Sequence, residues 1–416
     1  MSDKYTLQLE NFRSIRDATV EIAPLTVIYG ANGSGKSSLI YGLLTLRNFF
    51  NNPAQNVPSL FSYPTISLGG LREVIRNHIE DAQLSLSLTV LGEDRASRVW
   101  LSIANFGGQV GVEFSGPNRD FQPAYMSLDI PFPYRGDQQT SVRLNLATSD
   151  EFAHLTAPPA YVNWNGISVG LEQDEYGVDP SVLVRNIRNA NSPMGLARSV
   201  GFVPLRRGFA TPVYSVSNVT PTLASDVEVA SLLATDRFLE YSVSQYLESV
   251  ADRQLRVRMQ VGTSLFNLDS VPINGGVPVS IVNEGFGINQ LAHMLTICLY
   301  GDTKLVAIEE PEIHLHPSMV RKLVHAMAEI ATERDKRIIV STHSETFVLA
   351  LLAQIADGKI GVDDVSFIFA EKEDGESTFT KQEATQDGQI SGGLRSFIAS
   401  ELEDMAILFG EPSETS

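Results

Sequence analysis

Residues Gly30-Ala31-Asn32-Gly33-Ser34-Gly35-Lys36-Ser37 set three glycines, a lysine and a hydroxyl at the spacing of a phosphate-binding loop. Glycines let the backbone curl so that successive N–H groups converge on phosphate oxygens, and the lysine reaches the β and γ phosphates of a nucleoside triphosphate. This reading assigns Gly30, Asn32, Gly33, Ser34, Gly35, Lys36, Ser37 and Ser38 to ATP, with the Ser37 hydroxyl on Mg²⁺.

A second group of residues has complementary chemistry. In LVAIEEPEIHLHP, residues 305–317, an apolar run ends abruptly in two carboxylates. Glu309 is expected at the metal, directly or through water, and Glu310 is expected to accept a proton from the attacking water. In RIIVSTHS, residues 337–344, His343 follows another apolar run, within reach of a γ-phosphate or that water. NEGFGINQL, residues 283–291, is a glycine-rich loop opening an apolar helix just ahead of the acidic segment. His314 and His316, with Glu312 nearby, have no third strong ligand in sequence and are not read as a metal site.

The elements that must carry these residues can be read from periodicity. YTLQLENF, ATVEIAP and LTVIYG read as strands, the third running into the glycine loop, and SSLIYGLLTLRNFF has helical apolar spacing. Between 82 and 172, alternating segments such as LSLSLTVLG, RVWLSIANF, VGVEFSG and VRLNLATS predict antiparallel β structure. Residues 225–252 predict two helices. KLVAIEE and KRIIVSTHS are continuous apolar runs, as in a parallel sheet covered on both faces. No long heptad array predicts a coiled-coil arm.

The formal charge of −18 repels a polyphosphate backbone, so nucleic-acid binding would need a local basic surface. Arg13, Arg16, Arg47, Arg72, Arg76, Arg206 and Arg207 are candidates for one. The single cysteine, Cys298, lies in LAHMLTICLY and reads as a buried helix residue. The start lacks a basic-then-apolar leader and no run approaches the roughly 20 apolar residues of a membrane span, so a cytoplasmic, membrane-free protein is expected.

With these residues together, the chain resembles the AAA-family ATPases of the SMC, RecF and OLD branch of the ABC superfamily. The resemblance rests on LENFRSIRDATVEIAPLTVIYGANGSGKSSLIYGLLTL, SLGGLREVIRNHIEDAQLSLSLTV, VGFVPLRRG, NEGFGINQL, VAIEEPEIHLHP and IIVSTHS. It implies an α/β P-loop fold of ABC type: a mostly parallel core sheet flanked by helices, an antiparallel β subdomain and a helical insertion. Residues 1–416 would form one head, with an N-lobe at 1–200, the insertion at 210–260 and a C-lobe at 261–416.

It further implies a homodimer that sandwiches ATP, can be nested in a larger assembly, and is closed by binding and reopened by hydrolysis. The signature loop of each copy, through the Gly285 and Gly287 amides and Asn289, would contact the partner's γ-phosphate, and the HLHP loop would pack across the dimer. The sequence departs from the pattern at Glu284, before the first signature glycine, at Asn289, where relatives often have serine, and in SLGGLREV, which holds no glutamine. OLD nucleases carry a Toprim domain after this point, and the 73 residues that follow His343 are expected to be too short for one. VSFIFAEKEDGESTFTKQEATQDGQISGGL reads instead as a strand pair with a turn, so no intrinsic nuclease is expected. Such heads resemble the ATPase partners of Septu-type and retron-associated defence modules, implying a switch for a separate nuclease or toxin. A DNA-binding repair ATPase of RecF or SMC type and a slow ATP-binding scaffold are the alternatives.

Overall fold

The computed structural model describes residues 3–391 except 53, 80, 93–95, 105–106, 116–124, 128–129, 133–139, 144, 148–160, 165–168 and 172–191. The apolar runs form the centre of a six-stranded sheet in the order Val200–Val203, Leu305–Glu309, Arg337–Thr342, Leu25–Tyr29, Val365–Glu373, Glu376–Gln382. The first five are parallel and the last pairs antiparallel with its neighbour. Every residue of Leu25–Tyr29, Leu305–Glu309 and Arg337–Thr342 is buried, which accounts for their continuous rather than alternating hydrophobicity. The strand before the glycine loop thus lies between two strands of the expected C-lobe, and the two lobes share one sheet.

The faces of this sheet belong to different cores. Val27, Val306 and Val340 pack with the helices Phe286–Leu299, Pro317–Glu333 and Glu345–Ala356. Ile28, Ala307 and Ile339 pack with the helix Lys36–Asn51, beyond which lies the antiparallel sheet containing Lys4–Phe12, Ile15–Ile22, Leu84–Leu91, Ala96–Ala104 and Gly107–Ser115. A Cβ on Gly42 would lie 2.0 Å from Leu9 Cδ2, so this glycine sets the close approach of helix and sheet. Residue 144 and residues 148–160 of the expected β region are among those outside the described residues; VRLNLATS, residues 142–149, holds the end of the strand Thr140–Arg143 and the strand Asn145–Ala147, which belong to two different sheets.

The expected helices at 225–252 are Asp226–Thr235 and Arg237–Ala251. Ser225 and Glu228 form a capping box at the first, and Asp236 accepts from the N–H groups of Phe238 and Leu239 at the second. The 210–260 segment is not wholly helical. Arg253–Met259 is a strand paired with Leu265–Pro272, and the α/β excursion therefore extends past 260. The segment at 365–382 is the expected strand pair, Val365–Glu373 with Glu376–Gln382.

Candidate active site

The loop after Leu25–Tyr29 bends through positive φ at Gly30, Gly33 and Gly35. At Gly30 a side chain is excluded twice over, because its Cβ would meet the Ala370 carbonyl oxygen at 2.1 Å. Gly35 caps the following helix without a side-chain cap; the Ser38 N–H is taken by Gly35 O at 2.9 Å, and the helix start stands open to an anion. Lys36 is buried and its Nζ donates to the carbonyls of Gly30 and Ala31 at 2.8 and 2.9 Å. Burial lowers its pKa, opposed chiefly by the negative charge of Glu310. A cavity of about 460 Å³ is lined by Asn32, Gly33, Gly35, Lys36, Ser37, Ser38 and Glu310, with Arg13 and Lys372 at its border.

The adjacent acidic strand delivers its two carboxylates to different places. Glu309 is the last strand residue, 6% exposed, and its Oε2 accepts from the Leu205 N–H at 3.3 Å. The Tyr41 hydroxyl is hydrogen-bonded to the same carboxylate; burial, with the Glu309 charge second, raises the phenol well above its ordinary value. Ser37, Tyr41, Glu309, Glu310 and Ser341 line a second cavity of about 380 Å³, which Leu205 and Arg206 border. Its oxygen donors, the Ser37 hydroxyl and the Glu309 carboxylate, fit a hard cation such as Mg²⁺, which when bound would neutralise phosphate charge.

Glu310 has φ +44°, a left-handed conformation that turns it away from the path of Glu309. Its N–H donates to Ser341 O at 2.8 Å, and its carboxylate Oε2 lies 2.7 Å from His343 Nδ1 and accepts from the His343 N–H at 3.2 Å. His343 therefore meets Glu310 first. With Nδ1–H given to that carboxylate, only Nε2 is left to face phosphate or water. Behind both acids, Arg207 donates to the carbonyls of Pro204, Glu309 and Glu310 at 3.1, 2.7 and 2.8 Å. Burial lowers this guanidinium to about 10.

In the signature loop Asn289 is buried, its Oδ1 accepts from the Phe209 N–H at 2.7 Å and its Nδ2 donates to Phe209 O at 3.0 Å. The amide is thereby tethered inside the chain, with one Nδ2–H beyond the bond to Phe209. The departure at Glu284 finds an answer, since its carboxylate pairs with Arg253 at 3.3 Å. Gly285 caps the helix Phe286–Leu299, and a Cβ on Gly287 would lie 2.6 Å from His314 O. His316 caps Pro317–Glu333, and the His314 ring packs 5.7 Å from that of Phe286. Cys298 is buried and its thiol pushed up to about 12, as expected of a core residue.

Sequence reasoning missed Tyr41, and it left Arg207 only among scattered arginines and Glu312 beside the histidines. The signal for Tyr41 was its place four residues after Ser37, on the same helix face. Arg207 and Glu312 had no local signal.

The comparisons with known proteins agree with this geometry. A family model described as "AAA domain, putative AbiEii toxin, Type IV TA system" matches residues 197–350, and one described as "AAA domain" matches residues 6–46. A protein named OLD nuclease from Thermus scotoductus (strain ATCC 700910 / SA-01) is 24% identical over 373 residues. The two AAA-domain matches fall on the segments that hold the glycine loop and the acidic strand. The match to OLD nuclease covers 82% of this chain but only 59% of the relative's length. Solved SMC heads are also similar to the chain. A head bound to the C-winged helix domain of ScpA has TM-score 0.47 and 13% identity, covering 90% of this chain and 96% of that one. The head from Thermotoga maritima has TM-score 0.40 and 10% identity, covering 92% and 99%. A head with an extended coiled coil, bound to the C-terminal domain of ScpA derived from Pyrococcus furiosus, has TM-score 0.43 and 12% identity, covering 98% and 99%. Among the described residues no helix is long and apolar enough to cross a membrane.

Proposed function

We propose that the chain binds ATP with Mg²⁺, dimerises around it and hydrolyses it, and that this cycle switches a separate effector in prokaryotic anti-phage defence. The observation that carries the catalytic part is the sheet order: three adjacent parallel strands bring Lys36 and Ser37, Glu309 and Glu310, and His343 to one edge. Lys36 and the helix amides take the phosphates, Ser37 and Glu309 take the metal, and Glu310 accepts the proton of the attacking water. The backbone amides at Gly285 and Gly287, with Glu284 turned to Arg253, take the γ-phosphate held by a second copy.

The biological part rests on the names of the matching proteins. One matching family model names a toxin and a Type IV TA system, and the OLD relative is named a nuclease; both favour an ATPase that governs a damaging activity. A DNA-binding repair role draws less from the surface. Arg47 is buried, Arg207 is bound to carbonyls, and Arg16 and Arg76 both pair with Glu376.

The test is ATP turnover and solution mass with Mg²⁺ for the wild type, Lys36→Ala and Glu310→Gln. Hydrolysis by the wild type, an ATP-bound dimer of Glu310→Gln and neither property in Lys36→Ala are expected. Unchanged turnover in Glu310→Gln would refute the assignment of the base. For the switch, an effector that co-purifies with the chain from its native operon and is released on hydrolysis is expected; indifference of every co-purifying protein to ATP would sink that part.

A further inference from the structure

Two carboxyl groups face one another beside the histidine. One Glu312 oxygen accepts from Thr342 Oγ1 at 2.5 Å, while Oε2 is shut off from solvent and has no N–H or O–H donor among the described residues. What it faces is Glu310: ligand atoms of Glu310, Glu312 and His343 all lie within 4.8 Å of one another. Two carboxyl groups this close, one of them largely buried, disfavour double ionisation, so a proton on one is stabilised by the charge of the other.

The surroundings decide which. Glu310 already receives the His343 N–H and faces its Nδ1. Glu312 is neutral by contrast, because burial, and then the Glu310 charge, push its pKa up to about 8 against the weaker pull of Thr342. The cations on the neighbouring elements do not bond it. Lys36, on the loop helix, donates to Gly30 and Ala31, and Arg207, on the segment after Val200–Val203, donates to backbone carbonyls.

We propose that Glu312 is a positioning residue whose neutral carboxyl donates a hydrogen bond to the Glu310 carboxylate, holding it aimed at the attacking water. The proton sharing rests on the closeness and burial of the two carboxyl groups, and its effect on turnover rests on the reading of Glu310 as proton acceptor.

The experiment compares full-length wild type, Glu312→Gln and Glu312→Ala. Glutamine retains a neutral donor of the same reach and alanine does not. At pH 7, turnover is expected to fall by less than about threefold in Glu312→Gln and by about 10- to 100-fold in Glu312→Ala, with ATP affinity unchanged in both. Above pH 8 the wild type slows as Glu312 ionises, and Glu312→Gln does not. Melting temperatures without nucleotide or metal, from pH 5 to 9, give an independent readout. Because the folded chain holds this proton above the ordinary value of 4.5, wild-type stability declines with rising pH up to about 8 relative to Glu312→Gln. The melting difference should therefore widen over that window and then level.

Parallel melting curves would overturn the shared proton whether or not the chain hydrolyses ATP. A Glu312→Gln variant as slow as Glu312→Ala would overturn the positioning role. A wild type without turnover would end the hydrolase reading, and the positioning role with it, while the melting curves still decide the shared proton.

Discussion

Arg207 donates from Nη2 to the Glu310 carbonyl at 2.8 Å, at a residue whose backbone is left-handed. The same guanidinium holds the Glu309 carbonyl at 2.7 Å, so one side chain fixes the backbone of both acids without neutralising either carboxylate. A left-handed non-glycine residue costs about 1–3 kcal/mol and persists only where its surroundings impose it. Arg207 is one such constraint, and the Glu310 N–H to Ser341 O bond is the other.

Arg207→Lys should therefore be costly despite keeping the charge. A lysine ammonium cannot span three carbonyls with the fixed fork of a guanidinium. We expect a loss of about 2–4 kcal/mol in urea unfolding, together with a fall in turnover larger than any change in ATP affinity. Added guanidinium ion should restore part of the turnover of Arg207→Gly. An Arg207→Lys chain with wild-type stability and rate would refute the clamp.

Tyr41 makes a separate prediction about the metal. Its hydroxyl is hydrogen-bonded to the Glu309 carboxylate, and the two line one cavity with Ser37. Tyr41→Phe removes that bond while keeping the ring that stacks on Tyr63 at 5.3 Å. The Mg²⁺ concentration for half-maximal turnover should shift by about 5- to 20-fold, the equivalent of one hydrogen bond of roughly 1–2 kcal/mol. ATP binding measured in EDTA should not shift. Equal changes in both would assign Tyr41 to folding alone.

At the signature helix the expected effect is on stability. Asn289 answers both the N–H and the carbonyl of Phe209, and a Cβ on Gly208 would crowd its Oδ1 at 2.9 Å. Asn289→Ala leaves two buried backbone groups without partners, at a cost of about 2–4 kcal/mol. Thermal unfolding of the unligated monomer is the measurement. A variant that melts like the wild type but fails to form the ATP dimer would restore Asn289 to the nucleotide.

What was legible in the sequence follows from how local each constraint is. Lys36 and Ser37 are defined by a loop of eight residues, and Glu309 and His343 by the ends of apolar strands, so short windows of sequence sufficed. The tie between Asn289 and Phe209 joins residues 80 apart, and the clamp from Arg207 to Glu310 joins residues 103 apart. No periodicity encodes such pairings; they exist only once Val200–Val203 lies beside Leu305–Glu309. Helix position tells which end of a chain segment approaches a ligand, and cannot tell that the Phe209 backbone also holds the Asn289 side chain. Arg253–Met259 was passed over because its outward side chains are charged, which weakened the strand signal.

His293 supplies a prediction about acid. It lies on the signature helix, 6% exposed, against Phe209, with Nδ1 unpartnered among the described residues. Burial, and then repulsion from Arg207, lower its pKa to about 4, while Asp226 opposes the shift. The unfolded chain has no such penalty and takes up the proton near pH 6.5. Between about 6.5 and 4 the unfolded state therefore binds more protons, and stability drops as pH falls, by up to about 1.4 kcal/mol per unit for this group. Above 6.5 the contribution is constant. Carboxylates titrate in the same window, so the difference between wild type and His293→Gln isolates the histidine. Urea midpoints for the two chains should converge or cross as pH is lowered from 7 to 4.5, the wild type losing more. If the midpoints fall in parallel, His293 is not held neutral in the folded chain.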